Sequence, residues 1–452
     1  MKKVYSINPY NGKVIKEYTP FSSKKVEMIL ISAEQQFYHW RKTSFSHRSR
    51  LVLEVGKLLL KNKKAYASVI TEEMGKPISQ SVAEIEKCAW LCRYYSKNAE
   101  TQLQDRIIKT DALKSYVCYE PLGVILGVMP WNYPFWQVFR FVIPALMAGN
   151  VAVLKHASNV FGCAELIETI FLESGFPKFC FSNLNISSVS VEAVIKHKAI
   201  KAVTLTGSEK AGSAVAKIAG AQIKKNVLEL GENNALIILK NCDIERAVDT
   251  CIQARFQNTG QSCIAGKRLL LQESISETFL SKLITSVQSL SIGDPSNPDT
   301  FIGVLAREDL AVELDKQVRD SVKMGAKILI GGRREKAFYE PTILVNVTRE
   351  MPVFTQETFG PVLAISTFKT IEEAITLSND SRYGLGVSVF TKDVNALLPY
   401  ISQFDEGAVF INELVKSDPR LPFGGVKKSG YGRELGSWGI TEFVNVKTVY
   451  IK

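Results

Sequence analysis

The chain has 452 residues, of which 46% are hydrophobic and 22% are charged, a composition typical of a globular protein with two or three domains. It contains no run of eighteen apolar residues, and its N-terminus, MKKVYSINPYNGKV, lacks the apolar core of a signal peptide; we therefore expect no membrane span and a cytoplasmic location. The net charge of +11 is spread over scattered Lys and Arg residues without interleaved aromatic residues, which argues against nucleic acid as a partner.

The first hundred residues have the spacing of amphipathic helices. Apolar residues recur three or four positions apart from Val26 to about Glu100, which predicts several helices. Gly75 followed by Pro77 predicts the end of one helix and the start of the next. We interpret this region as a packing element without a role in the functional site.

From Val124 onwards, short apolar strands alternate with helices. The predicted strands are VILGV, VAVLK, AVTLT, VLEL and ALIIL, and this alternation predicts a mostly parallel, doubly wound α/β sheet. Ligands bind such sheets at the carboxyl ends of the strands. The polar residues that follow four of these strands are Asn132, Lys155, the pair Gly207-Ser208, and Glu229.

A second α/β segment follows, with predicted strands RLLLQ, AKILI, VLAIS and VSVF. The last segment, Glu442 to Ile451, alternates apolar and polar residues as an edge strand does. It either pairs with a neighbouring subunit or extends the chain's own sheet.

Cys263 is the candidate nucleophile. It follows the turn-forming Asn258-Thr259-Gly260 and precedes Lys267, so a thiolate with a lowered pKa is expected there. A cysteine taken alone is more often a small buried apolar residue, but a polar loop with glycines is a poor place to bury one. The eight cysteines form no CxxC pair and the four histidines form no HExxH motif, so neither disulfides nor a metal site are expected.

Several motifs together resemble the aldehyde dehydrogenase superfamily. They are FQNTGQSCIAGKR at 256–268, PWNYP at 130–134, LTGS at 205–208, LELG at 228–231, ETFGP at 357–361 and PFGG at 422–425. WQVFR at 136–140 and LKHASN at 154–159 are most similar to short bacterial NAD(P)-dependent succinate semialdehyde dehydrogenases.

The resemblance implies the aldehyde dehydrogenase fold and a domain division. A Rossmann-like coenzyme-binding domain would comprise residues 1–102 and 123–231, and an α/β catalytic domain residues 232–440. Residues 103–122 and 441–452 would form a small β oligomerisation arm. A homodimer or homotetramer is then expected, with a small aldehyde as the other partner.

The resemblance also implies catalytic roles. Cys263 would attack the aldehyde, Asn132 and the backbone N–H of Cys263 would hold the oxyanion, and Glu229 would activate water. A strand-end Glu is more often solvated, but the apolar neighbours of Glu229 favour a raised pKa. The family usually continues this motif with glycine and lysine, whereas Glu232 and Asn233 stand here.

For the coenzyme, the resemblance implies a set of binding residues: Trp131, Lys155, Ser158, Gly207, Ser208, Glu357 and Phe359. Many NAD-specific members have Glu where Ser158 stands, and a serine removes its repulsion of a 2′-phosphate. Lys155 could then pair with that phosphate. NADP or NAD is therefore expected, with NADP slightly favoured.

For the substrate, Arg140 is the main candidate, eight positions after Asn132 and near two turns along the same predicted helix. An arginine there implies a substrate carboxylate. Some succinate semialdehyde enzymes have a second arginine where Gln257 stands, and Arg420 is a candidate replacement for it. Trp136 and Phe423 are expected to form the walls of the substrate channel.

Three alternative functions remain. They are a general or other acid-semialdehyde dehydrogenase, a coenzyme-A-acylating relative and a non-catalytic binding protein.

Overall fold

The computed structural model describes residues 3–452. Its helices are α1 (Ser23–Trp40), α2 (Phe45–Lys61), α3 (Lys63–Met74), α4 (Ile78–Gln102), α5 (Trp136–Met147), α6 (Phe161–Glu173), α7 (Val191–Lys196), α8 (Glu209–Ala221), α9 (Ile244–Phe256), α10 (Ser276–Gln288), α11 (Glu308–Lys323), α12 (Pro352–Thr355), α13 (Ile371–Asn379), α14 (Val394–Leu397) and α15 (Gly436–Thr441).

The strands of residues 3–452 lie in five sheets. They are β1 (Val4–Ile7), β2 (Val14–Tyr18), β3 (Arg106–Ile107), β4 (Lys114–Pro121), β5 (Val124–Met129), β6 (Val151–His156), β7 (Phe181–Asn183), β8 (Ile200–Thr206), β9 (Lys225–Glu229), β10 (Ala235–Ile238), β11 (Arg268–Gln272), β12 (Lys327–Ile330), β13 (Arg334–Glu335), β14 (Phe338–Tyr339), β15 (Thr342–Val345), β16 (Val362–Phe368), β17 (Val387–Phe390), β18 (Val409–Ile411), β19 (Gly430–Tyr431) and β20 (Val444–Ile451).

The helical N-terminal region is confirmed. The side chains of Ser22 and Ser44 cap α1 and α2 by accepting backbone N–H bonds. Gly75 ends α3 with a left-handed φ of 75°, a conformation that glycine adopts without steric cost. The predicted break before Pro77 is therefore present, and α4 begins directly after that proline.

The first large sheet has the strand order β19-β9-β8-β5-β6-β7. All its pairings are parallel except that of β19 with β9. The chain runs from β5 outwards to β6 on one side and later to β8 on the other, so the carboxyl end of β5 is a topological switch point. Such a point is where doubly wound sheets bind ligands.

The second large sheet has the order β12-β15-β16-β11-β10-β17-β18 and is parallel apart from β12. Its inner strand β10, next to the central strand β11, reads Ala-Leu-Ile-Ile and is fully buried, because helices cover both faces of a parallel sheet. Separate apolar clusters fill the two faces of this sheet. The predicted second α/β segment is thus confirmed, and Cys263 lies just before β11.

The C-terminal strand β20 pairs with β4 over eight residues in a separate three-stranded sheet, β20-β4-β3. It therefore does not extend either large sheet. Val446 and Tyr450 on this strand are exposed. Within residues 3–452, no helix is both long enough and apolar enough to span a lipid bilayer.

Candidate active site

The loop before Cys263 has an unusual backbone. Asn258, Thr259 and Gly260 all have positive φ values, of 56°, 52° and 72°, and a left-handed β-branched threonine is uncommon. A Cβ on Gly260 would overlap the carbonyl of Gly360. The loop is therefore held in a strained path against the 357–361 segment, as functional loops often are.

Two buried cations fasten this loop and the facing 357–361 segment. The Lys267 ammonium donates to the carbonyls of Ser262 (3.1 Å) and Cys263 (2.8 Å), and it lies 3.4 Å from a Glu357 carboxylate oxygen. The Arg255 guanidinium donates to the carbonyl of Thr358 at 2.9 Å. Lys267 therefore fixes the backbone at the thiol, whereas Arg255 fixes the backbone that follows Glu357.

Two cavities meet at Cys263. The α4 cavity, of about 150 Å³, is lined by Lys87, Trp136, Arg140, Cys263 and Phe423, among others. The β8 cavity, of about 320 Å³, is lined by Trp131, Asn132, Gly207, Ser208, Glu357 and Phe359. Cys263 and Gln137 line both cavities. A molecule in each cavity would thus approach the same sulfur from a different side.

Asn132 lies in the turn between β5 and α5 and is buried. Its side-chain N–H donates to the carbonyl of Gln261 at 3.2 Å, while Asn258 donates to the carbonyl of Asn132 at 2.9 Å. A side-chain amide has two N–H groups, so one remains available toward the β8 cavity. The prediction that Asn132 and Arg140 share a helix was wrong, because α5 begins only at Trp136.

The start of α5 is set by a buried carboxylate from α4. Glu84 accepts hydrogen bonds from the backbone N–H groups of Phe135 (2.8 Å) and Trp136 (2.9 Å), and it forms an ion pair with buried Lys76. These are free N–H groups at a helix start, and a carboxylate satisfies them well. Glu84 thereby fixes the turn that carries Asn132.

Glu229 ends β9 and is 3% exposed. Its Oε1 has no hydrogen-bond partner within residues 3–452. Burial raises its pKa well above the usual value, nearby Glu434 raises it further, and Arg140 opposes both effects. A raised pKa was expected from apolar neighbours; the sequence had not indicated the second carboxylate. A carboxylate whose pKa is raised is a stronger base than an ordinary one.

The Cys263 thiol differs from the expectation of a lowered pKa. Burial raises the pKa of Cys263 to about 11, because the loss of hydration outweighs the attraction of Arg140 and Lys267. The carboxylates of Glu229 and Glu357 add to the increase. The free protein therefore holds a thiol, and a base must remove its proton before attack.

Arg140 is 1% exposed and lies one turn into α5. Its guanidinium forms an ion pair with Glu434, donates to the Thr206 hydroxyl at 3.2 Å and lies 4.7 Å from the ring centre of Phe423. It faces the α4 cavity, but its charge is already compensated by a carboxylate of this chain. Its role as a substrate ligand stays a prediction.

The other substrate candidates divide into two groups. Trp136, Phe423 and Gln257 line the α4 cavity. Arg420 does not line it: the guanidinium binds Asp418 through two hydrogen bonds, of 2.8 and 2.6 Å, and its side chain is 65% exposed.

Five of the coenzyme candidates lie at or just after the carboxyl ends of β5, β6 and β8, whereas Glu357 and Phe359 lie in the loop between α12 and β16. Ser208 caps α8 by accepting from Ala211 N–H, and Phe359 packs edge-on against Trp131 with ring centres 5.6 Å apart. Lys155, near the end of β6, forms no ion pair within residues 3–452, and burial lowers its pKa. Ser158 is exposed beside it. Neither Lys155 nor Ser158 contributes to the wall of the α4 cavity or of the β8 cavity.

Sequence reasoning missed the contribution of α4. Gln80, Glu84 and Lys87 line the α4 cavity, so the interpretation of the N-terminal helices as packing elements alone was wrong. Their spacing of four and three residues places them on one helix face. Polar residues recurring at that spacing were the available signal.

The family comparison agrees with this geometry. A model of the aldehyde dehydrogenase family matches residues 1–449. The chain therefore belongs to the aldehyde dehydrogenase family, and its fold is the aldehyde dehydrogenase fold.

Individual relatives are similar over their full length. A probable succinate-semialdehyde dehydrogenase (NADP(+)) of Synechocystis sp. is 45% identical over 451 residues, 99% of each chain. A succinate-semialdehyde dehydrogenase (NADP(+)) of Mycobacterium tuberculosis is 43% identical over 454 residues, again 99% of each. The crystal structure of succinic semialdehyde dehydrogenase from Streptococcus pyogenes with NADP+ has a TM-score of 0.97 and 34% identity, covering 99% of both chains.

Proposed function

We propose that this protein oxidises succinate semialdehyde to succinate with NADP+, and accepts NAD+ less readily. The observation that carries the proposal is the meeting of two cavities at one half-buried thiol. The α4 cavity, at about 150 Å³, is smaller than the ~300–1,000 Å³ of sites for drug-sized ligands. A four-carbon acid aldehyde suits a cavity of this size with basic side chains in its wall.

The β8 cavity suits a nicotinamide coenzyme. A Cβ on Gly231 would lie 2.8 Å from a Glu357 carboxylate oxygen, so glycine keeps the space beside that carboxylate open. The free N–H groups at the start of α8 favour an anion. Glu357 and Phe359 would hold the ribose and ring on the nicotinamide side, Lys155 and Ser158 the adenosine side. When bound, the coenzyme supplies the hydride acceptor.

In the first half of the reaction, the Cys263 thiol releases its proton to solvent water, which is the proton acceptor, and the sulfur forms a bond to the aldehyde carbon. The carbonyl oxygen becomes an oxyanion, which the side-chain N–H of Asn132 and the backbone N–H of Cys263 stabilise. Loss of hydride from this carbon leaves a thioester on Cys263. Removing one N–H donor to the oxyanion typically lowers the rate by about a hundredfold to a thousandfold.

In the second half, Glu229 takes a proton from water, and the resulting hydroxide attacks the thioester carbon. The carbon–sulfur bond breaks, succinate leaves and Cys263 regains its thiol. The raised pKa of Glu229 supports this role, because a general base works best when its pKa is near the operating pH. This base favours hydrolysis over transfer of the acyl group to coenzyme A.

The preference for NADP+ rests on Lys155 and Ser158. Lys155 is a half-buried cation without a carboxylate partner within residues 3–452, and a 2′-phosphate would supply one. Ser158 offers a hydroxyl where a carboxylate would repel that phosphate. The NADP(+)-dependent relatives described above support the same preference.

We also propose the division into coenzyme domain, catalytic domain and arm given above, and assembly into a homodimer or homotetramer. The exposed apolar side chains of β20 in its separate sheet support an arm that pairs with another subunit. A cytoplasmic location is supported by eight free cysteines.

The test is the rate of reduced-coenzyme formation from a panel of aldehydes with NAD+ and NADP+, each with and without coenzyme A. We expect the highest kcat/KM with succinate semialdehyde and NADP+, and no requirement for coenzyme A. A higher kcat/KM for uncharged aldehydes would contradict the proposed substrate, and dependence on coenzyme A would favour an acylating enzyme. Cys263→Ser is the control that must be inactive throughout.

A further inference from the structure

We propose that the Lys87 ammonium binds the distal carboxylate of the substrate and so selects acid aldehydes over neutral ones. This inference rests on the proposed function, since it assigns a partner to the carboxylate of succinate semialdehyde. It concerns a residue on a helix that the sequence patterns left without any chemical role.

Lys87 is placed by its helix. Gln80 and Lys87 are both on α4, where seven residues correspond to about 10 Å along the axis. The Gln80 amide oxygen accepts from the backbone N–H of Asn258 at 2.6 Å, which anchors that end of the helix face at the nucleophile loop. Lys87 therefore faces the same cavity as Cys263, two turns farther along its wall.

The Lys87 ammonium has no carboxylate partner within residues 3–452. The three carboxylates whose charges act on it or on its neighbours are all paired with other cations. Glu84 pairs with Lys76, Asp418 with Arg420 and Glu434 with Arg140.

The other cations of this region are already compensated. Arg140 faces the cavity but is paired with Glu434, and Lys416 lines the cavity but lies 2.8 Å from a Glu413 oxygen. A half-buried cation without a carboxylate is costly, and a substrate carboxylate would remove that cost. Lys87 is thus the cavity cation whose charge remains to be compensated by a ligand.

Neighbouring groups hold the ammonium in place. It donates to the Ser417 hydroxyl at 3.0 Å and lies 4.2 Å from the ring centre of Trp136. Trp136 also donates its indole N–H to the same hydroxyl oxygen at 3.0 Å. Both lone pairs of that oxygen are then used, so the hydroxyl proton of Ser417 is free to donate to an anion beside Lys87.

The electrostatic state of the amine agrees with this assignment. Burial, and then the charge of Arg140, lower the pKa of Lys87 to about 8. The group is charged at neutral pH, and a bound carboxylate would oppose both effects.

The test compares kcat/KM for succinate semialdehyde with kcat/KM for butanal, an uncharged aldehyde of the same chain length. Lys87→Met keeps a long apolar side chain and removes the charge. We expect the ratio of the two values to fall at least about tenfold, or about 1.4 kcal/mol, and Lys87→Arg to restore part of it. A smaller fall in Lys87→Met would overturn the inference.

Lys97→Met is the matched control. Lys97 is exposed on the same helix, so this variant removes the same charge from the protein without reaching the cavity. Its ratio should equal that of the wild type. If Lys97→Met lowers the ratio as much as Lys87→Met does, long-range attraction explains the preference and the inference fails.

A measurement independent of turnover uses succinate as the probe. Acetylation of lysines in the intact wild-type protein at pH 8, followed by peptide mass spectrometry, should show slower modification of Lys87 when succinate is present, with Lys97 unchanged. Equal modification of Lys87 with and without saturating succinate would overturn the inference.

The outcome for the wild type separates this inference from the proposed function. If the wild type does not prefer succinate semialdehyde to butanal, the proposed substrate is wrong and the inference falls with it. If the wild type prefers it and Lys87→Met keeps that preference, the proposed function stands and only the assignment of Lys87 fails.

Discussion

Replacing Arg140 with Met should destabilise the protein and shift its pH profile for every aldehyde. The substitution leaves Glu434, which is 4% exposed, without its cation and leaves the Thr206 hydroxyl without its guanidinium donor. Breaking a buried ion pair by removing one partner costs about 3–5 kcal/mol. The free energy of unfolding should fall by that amount, as measured by urea denaturation.

The pH effect follows from the same cation. Arg140 lowers the pKa of both Glu229 and Cys263, so its loss raises both values. A base with a higher pKa is ionised only at higher pH, and a thiol with a higher pKa forms less thiolate at neutral pH. The acidic limb of the kcat–pH profile should therefore move to higher pH with succinate semialdehyde and with butanal alike.

The double variant Arg140→Met/Glu434→Met supplies the control. Replacing a buried ion pair by apolar residues of similar volume is often neutral or stabilising, so the second substitution should recover most of the lost stability. It also removes the carboxylate that raises the pKa of Glu229. If the double variant is no more stable than the single one, the ion-pair argument is wrong. If only the reaction of succinate semialdehyde is affected, Arg140 acts as a substrate ligand instead.

Four further outcomes are expected at the catalytic and coenzyme residues. Cys263→Ala should abolish dehydrogenase activity while coenzyme binding, followed by fluorescence titration, changes little. Glu229→Gln should slow hydrolysis more than acylation, so a stopped-flow burst of reduced coenzyme should appear; equal slowing of both phases would remove its role in hydrolysis. Ser158→Glu should shift the ratio of kcat/KM values from NADP+ toward NAD+, and an unchanged ratio would place phosphate discrimination elsewhere. In the coenzyme-free protein, alkylation of Cys263 by iodoacetamide should accelerate about tenfold per pH unit from pH 7 to 9, because a pKa of about 11 keeps most of the thiol protonated there. The rate is measured on the Cys263 peptide, and a plateau near pH 8 would contradict that pKa.

The alternation of strands and helices was enough to predict both large sheets. Runs such as VAVLK and ALIIL are buried on both faces, and their lengths and β-branched content leave little ambiguity. The Gly75–Pro77 break was also readable, because it depends on local backbone preferences alone. The strand order, and the separate sheet that contains β20, depend on pairings between distant segments and were not readable.

The parts of the site that the sequence did not indicate all depend on contacts between distant residues. The start of α5 is set by Glu84, which is 51 positions from Phe135, so the spacing between Asn132 and Arg140 was misread. Arg420 binds Asp418, two positions away, and only the structure shows that Arg420 does not line the α4 cavity. The direction of the Cys263 pKa was mistaken because burial is a property of the fold.

The contact between the nucleophile loop and the 357–361 segment has a consequence for motion. Gly260 lies against the Gly360 carbonyl, and Lys267 joins the Cys263 carbonyl to Glu357. The sulfur and the carboxylate proposed to hold the coenzyme ribose are thus joined to each other on the side of the second sheet, whereas Asn132 and Glu229 follow strands of the first. A hinge opening between the two sheets would have to break the two hydrogen bonds between Asn132 and the nucleophile loop. It would separate the thiol from the Asn132 amide and from Glu229, but would leave its distance to Glu357 unchanged.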